Sequence, residues 1–529
     1  MVSSSSGGGR TIWNGPGLTR REWLALTALG LTSPALTSPA QGASPKGQLT
    51  VGVHVSLTPA WFDPAESTGL ITPFLVFYAL HDGMVKSMPG QLQAPSLAKS
   101  WSVTPDGLTY DFELRAGALF HNGDPVTAED VKFSLLRYHG SDNSLLKQRV
   151  EAIETPDPSR VRITLKQPWP DFLTFYAGAT GAGWIVPAKY VTRVGDAGFK
   201  RDPVGAGPYK FVSYTPGTEL VLEAFEGYWR GVPAVKRLVL KVIPDEATRL
   251  IALKRGEIDI AYSIRGESAK ALRDTPGLSL KAAVVQGTFC VYFADQWDTR
   301  SPWHDERVRR AVSLAIDRAT INEVLTLGYS RVTGNPIVPD MYEFYWQPPM
   351  PVYDPAQARQ LLTAAGHPNG FNGGLYFCDS SYSNIGEVVL NNLREVGIRM
   401  TLRPIERAAF VKGYVDKTFK NLIQAGPGAF GNAATRLESF VTKNGPFSYG
   451  SHADMDALFA QQAGETDRAK REAMLHQMQK MIHERTMFAP IWQLAFLNGV
   501  GPRVGESGFG RIPGFPYTAP YEDMTLKEG

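Results

Sequence analysis

Hydrophobic and polar residues between positions 97 and 138 alternate first with the period of a strand and then with that of a helix. The apolar members of the strand pattern are Tyr110, Phe112 and Leu114. The polar run at 121–125 then predicts a turn. Thr127 follows as a hydroxyl N-cap, with Asp130 three residues later. This order predicts a helix whose buried face carries Val131, Leu135 and Tyr138.

The same two periods alternate along most of the chain. Strand patterns run over 48–55, 155–166, 219–224, 237–242, 258–262, 374–378 and 398–403. Helix patterns run over 246–255, 304–325, 386–396 and 471–484. This alternation predicts an α/β core. The pattern restarts near Val284, and a further apolar strand pattern runs over 491–498.

The segment 374–403 predicts a strand, a helix and a second strand that runs parallel to the first. Parallel strands of this kind place ligands outside their carboxyl ends. Asp379 and Tyr382 follow the first strand directly. We therefore expect both side chains to point toward a crevice.

Length and composition limit the class of protein. The chain has 529 residues, too many for one hydrophobic core, and its 43% apolar and 20% charged residues are typical of a globular protein. The formal net charge is +3, and no basic stripe indicates nucleic acid as a partner.

The chain has two cysteines, Cys290 and Cys378, and each lies in a strand-like run. This placement favours two separate buried thiols. A single bridge remains possible in an oxidising compartment.

The sequence offers no recognisable catalyst or metal site. None of the nine histidines belongs to an HExxH motif or to a close pair with metal-ligand spacing, and no nucleophile elbow occurs. Gly205 and Gly207 could suggest a phosphate-binding loop, but Pro208 removes a backbone donor there, and no GxxxxGK[ST] motif is present. We expect no cofactor, no metal and a structural turn at 203–209.

The N-terminal region has the pattern of an export signal. Arg20 and Arg21 precede a weakly apolar run at 23–36, which resembles a twin-arginine signal and is too short to span a bilayer permanently. Small residues at 38–40 predict cleavage, so that residues 1–40 are the signal peptide and the mature chain begins near Gln41. The alternative is a disordered basic tail. No cysteine lies near the cleavage region, so we expect a periplasmic protein without a lipid anchor, exported by the twin-arginine or the general secretory route.

Several short motifs occur in a fixed order. They are Ala98-Lys99-Ser100-Trp101, Asp106-Gly107, Leu114-Arg115, Phe120-His121-Asn122-Gly123, Thr127-Ala128-Glu129-Asp130-Val131, PVGAGPY at 203–209 and DERVRRAVSLAIDR at 305–318. In this order they resemble the family-5 extracellular solute-binding proteins, the peptide- and nickel-type receptors of bacterial ABC importers. The likeness covers about residues 48–502.

The resemblance implies an α/β, two-lobed periplasmic-binding-protein fold of type II (cluster C), with two hinge crossings and an extra domain inserted in the first lobe. The implied parts are a first part of lobe I at 41–82, the inserted subdomain at 83–200, a second part of lobe I at 201–284, lobe II at 285–489 and a C-terminal part of lobe I at 490–529.

The resemblance also implies a function without catalysis. A small peptide-like or other organic solute is enclosed between the lobes, and the closed form is presented to the permease subunits of an importer in the inner membrane. A monomer is expected. The alternative is a periplasmic enzyme or chaperone on the same scaffold.

Two departures from the family bear on the ligand. Peptide-binding relatives use an Asp in a loop that corresponds to 426–432, and di- and tripeptide binders use an Arg near the position of Cys378 and Asp379; neither is present here. Because burying an unpaired ammonium or carboxylate is costly, a conventional dipeptide is disfavoured. A neutral, modified or differently oriented peptide is not disfavoured by these two departures.

The predicted ligand site joins residues of both lobes. Those of the first lobe are Trp61, Phe62, Ser67, Thr68 and Gly69, and those of the second are Asp379, Tyr382, Gly428, Phe430, Asn432 and Arg436. Aromatic rings would stack on the ligand, Asn432 and the hydroxyls would orient its polar groups, and Asp379 or Arg436 would pair with a charge. Trp61 and Phe62 could instead cap the local core.

Overall fold

The computed structural model describes residues 44–66, 73–140, 143–176, 181–426, 431–512, 515 and 517–528. The predicted signal peptide at 1–40 lies outside these residues. So do five predicted site residues, namely Ser67, Thr68, Gly69, Gly428 and Phe430.

Twenty strands occur in the described residues. They are β1 (Lys46–Val53), β2 (Asp82–Gly83), β3 (Val85–Met88), β4 (Gln91–Pro95), β5 (Ala98–Val103), β6 (Thr109–Leu114), β7 (Val150–Asp157), β8 (Arg160–Leu165), β9 (Trp184–Ile185), β10 (Tyr209–Thr215), β11 (Glu219–Ala224), β12 (Val235–Val242), β13 (Ile260–Ile264), β14 (Ser279–Phe293), β15 (Phe371–Asp379), β16 (Ile398–Ile405), β17 (Leu422–Ala425), β18 (Phe488–Val500), β19 (Val504–Glu506) and β20 (Thr525–Leu526).

Fifteen α-helices accompany these strands in the same part of the chain. They are α1 (Phe74–Leu80), α2 (Ala128–Arg137), α3 (Asn143–Arg149), α4 (Phe172–Thr174), α5 (Ala188–Arg201), α6 (Glu246–Lys254), α7 (Gly266–Arg273), α8 (Glu306–Ala315), α9 (Arg318–Thr326), α10 (Pro355–Ala364), α11 (Ser383–Glu395), α12 (Arg407–Val415), α13 (Ala433–Val441), α14 (Ala453–Ala463) and α15 (Arg468–Glu484).

Ten of the strands form one mixed sheet, in the order β10-β11-β12-β1-β13-β18-β14-β17-β15-β16. Its two central strands, β14 and β18, are 15 and 13 residues long and pair antiparallel with each other. The pairing joins 279–284 to 495–500 and 288–292 to 488–493. Val284, near which the sequence predicts the first crossing, is the last residue before the register shifts. All 13 residues of β18 are buried, as its almost continuous apolar run predicts.

The two central strands join the halves of the sheet. We call the half with β10, β11, β12, β1 and β13 lobe I, and the half with β17, β15 and β16 lobe II. In lobe I, β1 pairs parallel with β12 and β13. In lobe II, β15 pairs parallel with β16, and α11 connects them, which confirms the predicted strand-helix-strand unit. The carboxyl ends of these parallel strands are the expected position of a ligand site.

A second core lies beside lobe I, around a four-stranded antiparallel sheet in the order β5-β6-β8-β7. The predicted strand 109–114 is β6, and its apolar residues are buried as expected. The predicted helix is α2, where Thr127 and Asp130 form a reciprocal capping box. The residues of its hydrophobic core lie between Met84 and Ala206 in the sequence. We call this part of the molecule the small subdomain.

The family-like motifs at 120–123 and 203–209 pack against each other. His121 donates its backbone N–H to the carbonyl of Gly205, its ring Nε2 lies 3.0 Å from the carbonyl of Gly207, and its Nδ1 accepts from the N–H of Gly205. The N–H of Gly207 in turn reaches the carbonyl of Leu80 at the end of α1. The predicted structural turn therefore ties the small subdomain to lobe I.

Cys290 and Cys378 are both buried and free. Burial raises the pKa of each thiol to about 12, which keeps it protonated and unreactive at neutral pH. Among the described residues, no helix combines the length and the apolar character needed to cross a membrane.

Candidate ligand site between the lobes

Arg265 follows β13 of lobe I, and a strained turn holds it there. Ser263 adopts a left-handed φ of 59°, which is unfavourable for a residue with a side chain. Its N–H donates to the amide oxygen of Asn498 on β18, and its carbonyl accepts from the buried guanidinium of Arg249. These two contacts compensate the strain and direct the chain at Arg265 toward lobe II.

The side chain of Arg265 reaches across to lobe II. Its Nη1 donates to the carbonyl of Ser381 at 2.5 Å, and its guanidinium lies 5.3 Å from the ring centre of Tyr382. The Tyr382 ring packs edge-on against Phe289 of β14, with centres 5.0 Å apart. Tyr382 thus packs between the edge of lobe II and the crossing strands.

Arg407 supplies a second cation from lobe II. It follows β16, which is adjacent to β15, so it leaves the sheet at the same edge as Asp379. Its side chain is exposed, hydrogen-bonds to the side chain of Tyr517 and interacts electrostatically with Tyr382 and Asp379. Tyr517 belongs to the C-terminal segment, so three separate parts of the chain meet here.

His54 follows β1 and completes this group from lobe I. Its ring stacks on Tyr262, with centres 5.4 Å apart, and lies 6.0 Å from the ring of Tyr517. Burial, reinforced by the positive charges of Arg249, Arg265 and Arg407, lowers the pKa of His54 to about 3. The imidazole is therefore neutral at physiological pH and adds no positive charge.

We call these side chains the basic aromatic cluster: His54, Tyr262, Arg265, Tyr382, Arg407 and Tyr517. A narrow crevice with a free volume of about 20 Å³ extends from Arg265 and Tyr382 along β18, where Trp492, Leu494 and Phe496 line it. Apolar walls with a few polar groups are typical of a site for a small organic molecule.

A second contact between the halves of the molecule involves Asp171 of the small subdomain. Its Oδ2 pairs with Arg471 of α15 at 2.5 Å, and its Oδ1 accepts from the side-chain amide of Asn432. All three residues are buried. Asn432 also caps α13, because its Oδ1 accepts from the N–H of Thr435. We call this contact the Asp171 junction.

Comparison with known proteins identifies the family. The sequence profile of Bacterial extracellular solute-binding proteins, family 5 Middle, matches residues 93–448. The glutathione-binding protein GsiB of Pectobacterium atrosepticum is 31% identical over 404 residues, which is 73% of this chain and 77% of that protein. The chain belongs to family 5 of the bacterial extracellular solute-binding proteins.

Other family-5 relatives carry different ligand names. The di/tripeptide-binding protein 2 of Pseudomonas aeruginosa is 27% identical over 85% of this chain and 90% of its own length. The heme-binding protein A of Haemophilus influenzae is 26% identical over 81% of this chain and 83% of its own length. All of these are binding proteins. The prediction of a substrate-binding role for an ABC importer is confirmed, and so is the prediction that the chain is not an enzyme.

Solved structures confirm the two-lobed fold. The protein CtaP from Listeria monocytogenes aligns with a TM-score of 0.79 at 20% identity, over 91% of this chain and 99% of its own. NikA from Brucella suis, in complex with Fe(III)-EDTA, aligns with a TM-score of 0.77 at 22% identity, over 91% and 100%. At this level of identity the likeness concerns the fold alone.

The structure brings some predicted site residues of this family-5 protein to the interface between the lobes. Tyr382 belongs to the basic aromatic cluster, and Asn432 belongs to the Asp171 junction. Asp379 lies beside Arg407, and its Oδ1 accepts from the N–H of Ser381.

Other predicted site residues lie elsewhere. Phe62 is 1% exposed and packs against Phe211 and Tyr214 in the core of lobe I, and Trp61 packs partly buried against the same core. The site that we propose below therefore excludes both rings. They take the alternative role of capping the local core.

Arg436 points into the core of lobe II. It is 1% exposed, its Nε donates to the carbonyl of Ile337, and its guanidinium lies 4.6 Å from the ring centre of Phe440. Neither terminal nitrogen has a hydrogen-bond partner among the residues that the structure describes. This arginine is enclosed by lobe II and does not take part in either contact between the lobes.

Sequence reasoning missed Arg265, Arg407, His54 and Asp171. The signal for Arg407 was present, because it follows the strand parallel to the one that precedes Asp379. His54 and Arg265 also follow parallel strands of lobe I. Asp171 has no comparable signal, since it lies at the N-terminus of a three-residue helix and meets Arg471 300 positions later in the sequence.

Proposed function

We propose that this protein is the periplasmic receptor of an ABC importer for a small organic solute, peptide-like or otherwise, which it encloses between lobes I and II and delivers to the permease. The observation that carries the proposal is that residues from opposite halves bond at two places. The side chain of Arg265 donates to the backbone carbonyl of Ser381, and Asp171 pairs with Arg471. Contacts of this kind can form only when the lobes close, and the basic aromatic cluster lies among them. Export with cleavage near Gln41 and the part boundaries predicted from sequence belong to the same proposal.

The Asp171 junction bears on the choice of ligand. Asp171 supplies, from the opposite side of the cleft, a carboxylate that the loop 426–432 lacks. Both of its oxygens are already bonded, one to Asn432 and one to Arg471. A free α-amino group would have to displace a buried guanidinium, so the conventional dipeptide remains disfavoured.

The experiment uses protein purified from the periplasmic fraction of its own host. Its N-terminus should begin near Gln41, and mass spectrometry after denaturation should identify a bound small molecule. Readdition of that molecule to the stripped protein should raise Tm, since a ligand at 100 times Kd stabilises by about 2.7 kcal/mol. It should also reduce the radius of gyration in X-ray scattering.

Glutathione, short peptides and haem, the ligands named for the relatives, form the comparison panel. A purified protein that carries no small molecule, shows no rise in Tm with any panel member and does not change its radius of gyration would contradict the proposal.

A further inference from the structure

We infer that Arg265 and Arg407 together bind a carboxylate group of the ligand, one arginine from each lobe, with the rings of the basic aromatic cluster around it. The inference rests on the proposed function and adds the chemical class of the ligand to it. Guanidinium groups bind carboxylates through parallel, charge-assisted hydrogen bonds, which makes them the preferred partner for such a group.

The first support is positive charge without a paired carboxylate. Within the described residues, no ion pair joins Arg265 or Arg407 to an acidic side chain, whereas Arg471 pairs with Asp171 and Arg137 with Asp63. The side chain of Arg265 donates instead to a neutral acceptor, the backbone carbonyl of Ser381. Two cations near one cleft repel each other unless an anion lies between them.

The second support is that the neighbouring carboxylates are already used. Glu246 accepts from the backbone N–H of Arg265, Asp379 from that of Ser381 and Glu406 from that of Ala409. Each caps a turn or a helix start. His54 is neutral, and Arg249 is held by four backbone carbonyls beneath the cleft. Each of these carboxylates is thus bonded to a backbone N–H, and in the described part of the chain none forms an ion pair with the guanidinium of Arg265 or Arg407.

The third support is the position of the two arginines relative to the hinge. Arg265 belongs to lobe I and Arg407 to lobe II, and both act electrostatically on Tyr517 and His54. An anion that contacts both guanidinium groups is bound fully only when the lobes are closed. Its binding free energy therefore favours closure, which is what a receptor requires.

The apolar surroundings favour the carboxylate of an organic molecule over an inorganic anion. Tyr262, Tyr382 and Tyr517 surround the cations, and the crevice along β18 continues with Trp492 and Phe496. Inorganic anions gain nothing from such walls, whereas the hydrocarbon part of an organic acid is stabilised by contact with the rings.

The test uses matched pairs of compounds, each a free acid and its primary amide: glutathione and its diamide, N-acetyl-Ala-Phe and its amide, and hippurate and its amide, with inorganic phosphate as a separate arm. Ligand-dependent rises in Tm are measured for the wild type, and Kd is measured by calorimetry for each binder. We expect binders among the acids, with at least 10-fold weaker binding of the matching amides.

The variants are Arg265→Gln and Arg407→Gln, with Lys270→Gln on α7 and Arg403→Gln on β16 as controls. Both controls remove one exposed positive charge from the same lobes. Each cluster variant should raise Kd for the acid by about 10-fold or more, and each control should leave it within twofold. The ligand-free Tm of the cluster variants should equal or exceed that of the wild type, because a repulsive charge is removed.

Equal affinity for acid and amide, unchanged affinity in both cluster variants, or arginine-dependent binding of phosphate but of no acid would overturn the inference. In the first two cases binding itself persists, so the proposed receptor function stands. Absence of every binder, including the molecule that co-purifies with the protein, would overturn the function and the inference together.

Discussion

At the scale of single residues, buried arginines of the family-like segment 305–318 have a structural role. Arg309 donates to the carbonyls of Trp303, His304, Arg485 and Thr486. Arg318 donates to the carbonyl of Pro490 near the start of β18, and to Ser313 and Ile316 at the C-terminal end of α8. The hydrogen bonds of these two guanidinium groups compensate the free-energy cost of removing their charge from water. Arg436 has one such bond, so a residue type alone does not tell whether a buried arginine is satisfied.

His81 provides a prediction on pH at this scale. It is fully buried, its Nε2 lies 2.9 Å from the carbonyl of Phe62, and burial lowers its pKa from 6.5 to about 4. Between pH 6.5 and 4 the unfolded chain binds a proton that the folded chain does not. The contribution of His81 to the free energy of unfolding is therefore fully present above pH 6.5 and is lost as the pH falls toward 4, by about 3 kcal/mol.

The measurement is urea unfolding of the wild type, His81→Gln and His139→Gln at several pH values from 7 to 4. His139 is exposed and serves as the control. His81→Gln should show a smaller loss of stability with falling pH, and His139→Gln should follow the wild type. An unchanged pH dependence in His81→Gln would show that this histidine is not the source.

At the scale of elements, the turn at 203–209 illustrates how a motif is maintained by packing. A Cβ added to Gly205 would lie 1.9 Å from the carbonyl oxygen of Leu80 at the end of α1. The same glycine donates its N–H to Nδ1 of His121 and accepts from the backbone N–H of His121. The glycine is needed because of backbone proximity, not because of a bound phosphate.

Gly205→Ala should therefore destabilise the protein by about 2 kcal/mol, within the usual range for overpacking. Gly464→Ala is the control, because no atom lies within 4 Å of its added Cβ and its φ is ordinary. Urea unfolding at pH 7 compares the two variants with the wild type. Equal midpoints for all three proteins would refute the packing argument.

At the scale of the whole molecule, the two lobes share one continuous sheet, and closure depends on side chains far from its two central strands. The Asp171 junction is the buried contact between the small subdomain and lobe II, and Gly107 approaches Thr466 nearby. Because removal of one partner leaves a buried charge uncompensated, the junction favours the closed arrangement strongly once it has formed.

Asp171→Asn should shift the molecule toward the open form, since Arg471 loses its partner charge, at a cost of about 3 kcal/mol in the closed state. X-ray scattering should give a larger radius of gyration for the variant, and ligand affinity should fall. Asp111→Asn is the control: it breaks an exposed ion pair with Arg162 inside the small subdomain. A scattering curve for Asp171→Asn that superimposes on that of the wild type would exclude this role.

Local patterns in the sequence were enough to predict the α/β class, the capping box at Thr127, the strand-helix-strand unit at β15 and β16 and the family. Each of these depends on residues that are neighbours along the chain, because periodicity, caps and turns are local properties.

The composition of the cleft was decided by the tertiary structure. Asp171 meets Asn432 and Arg471 only because the small subdomain folds against lobe II, and Arg265 meets Tyr382 only because β14 and β18 bring the two lobes together. Phe62, Asn432 and Arg436 all looked suited to a ligand by residue type. Which of them meets the cleft depends on burial and on partners hundreds of positions away, and periodicity along the chain carries no information about either.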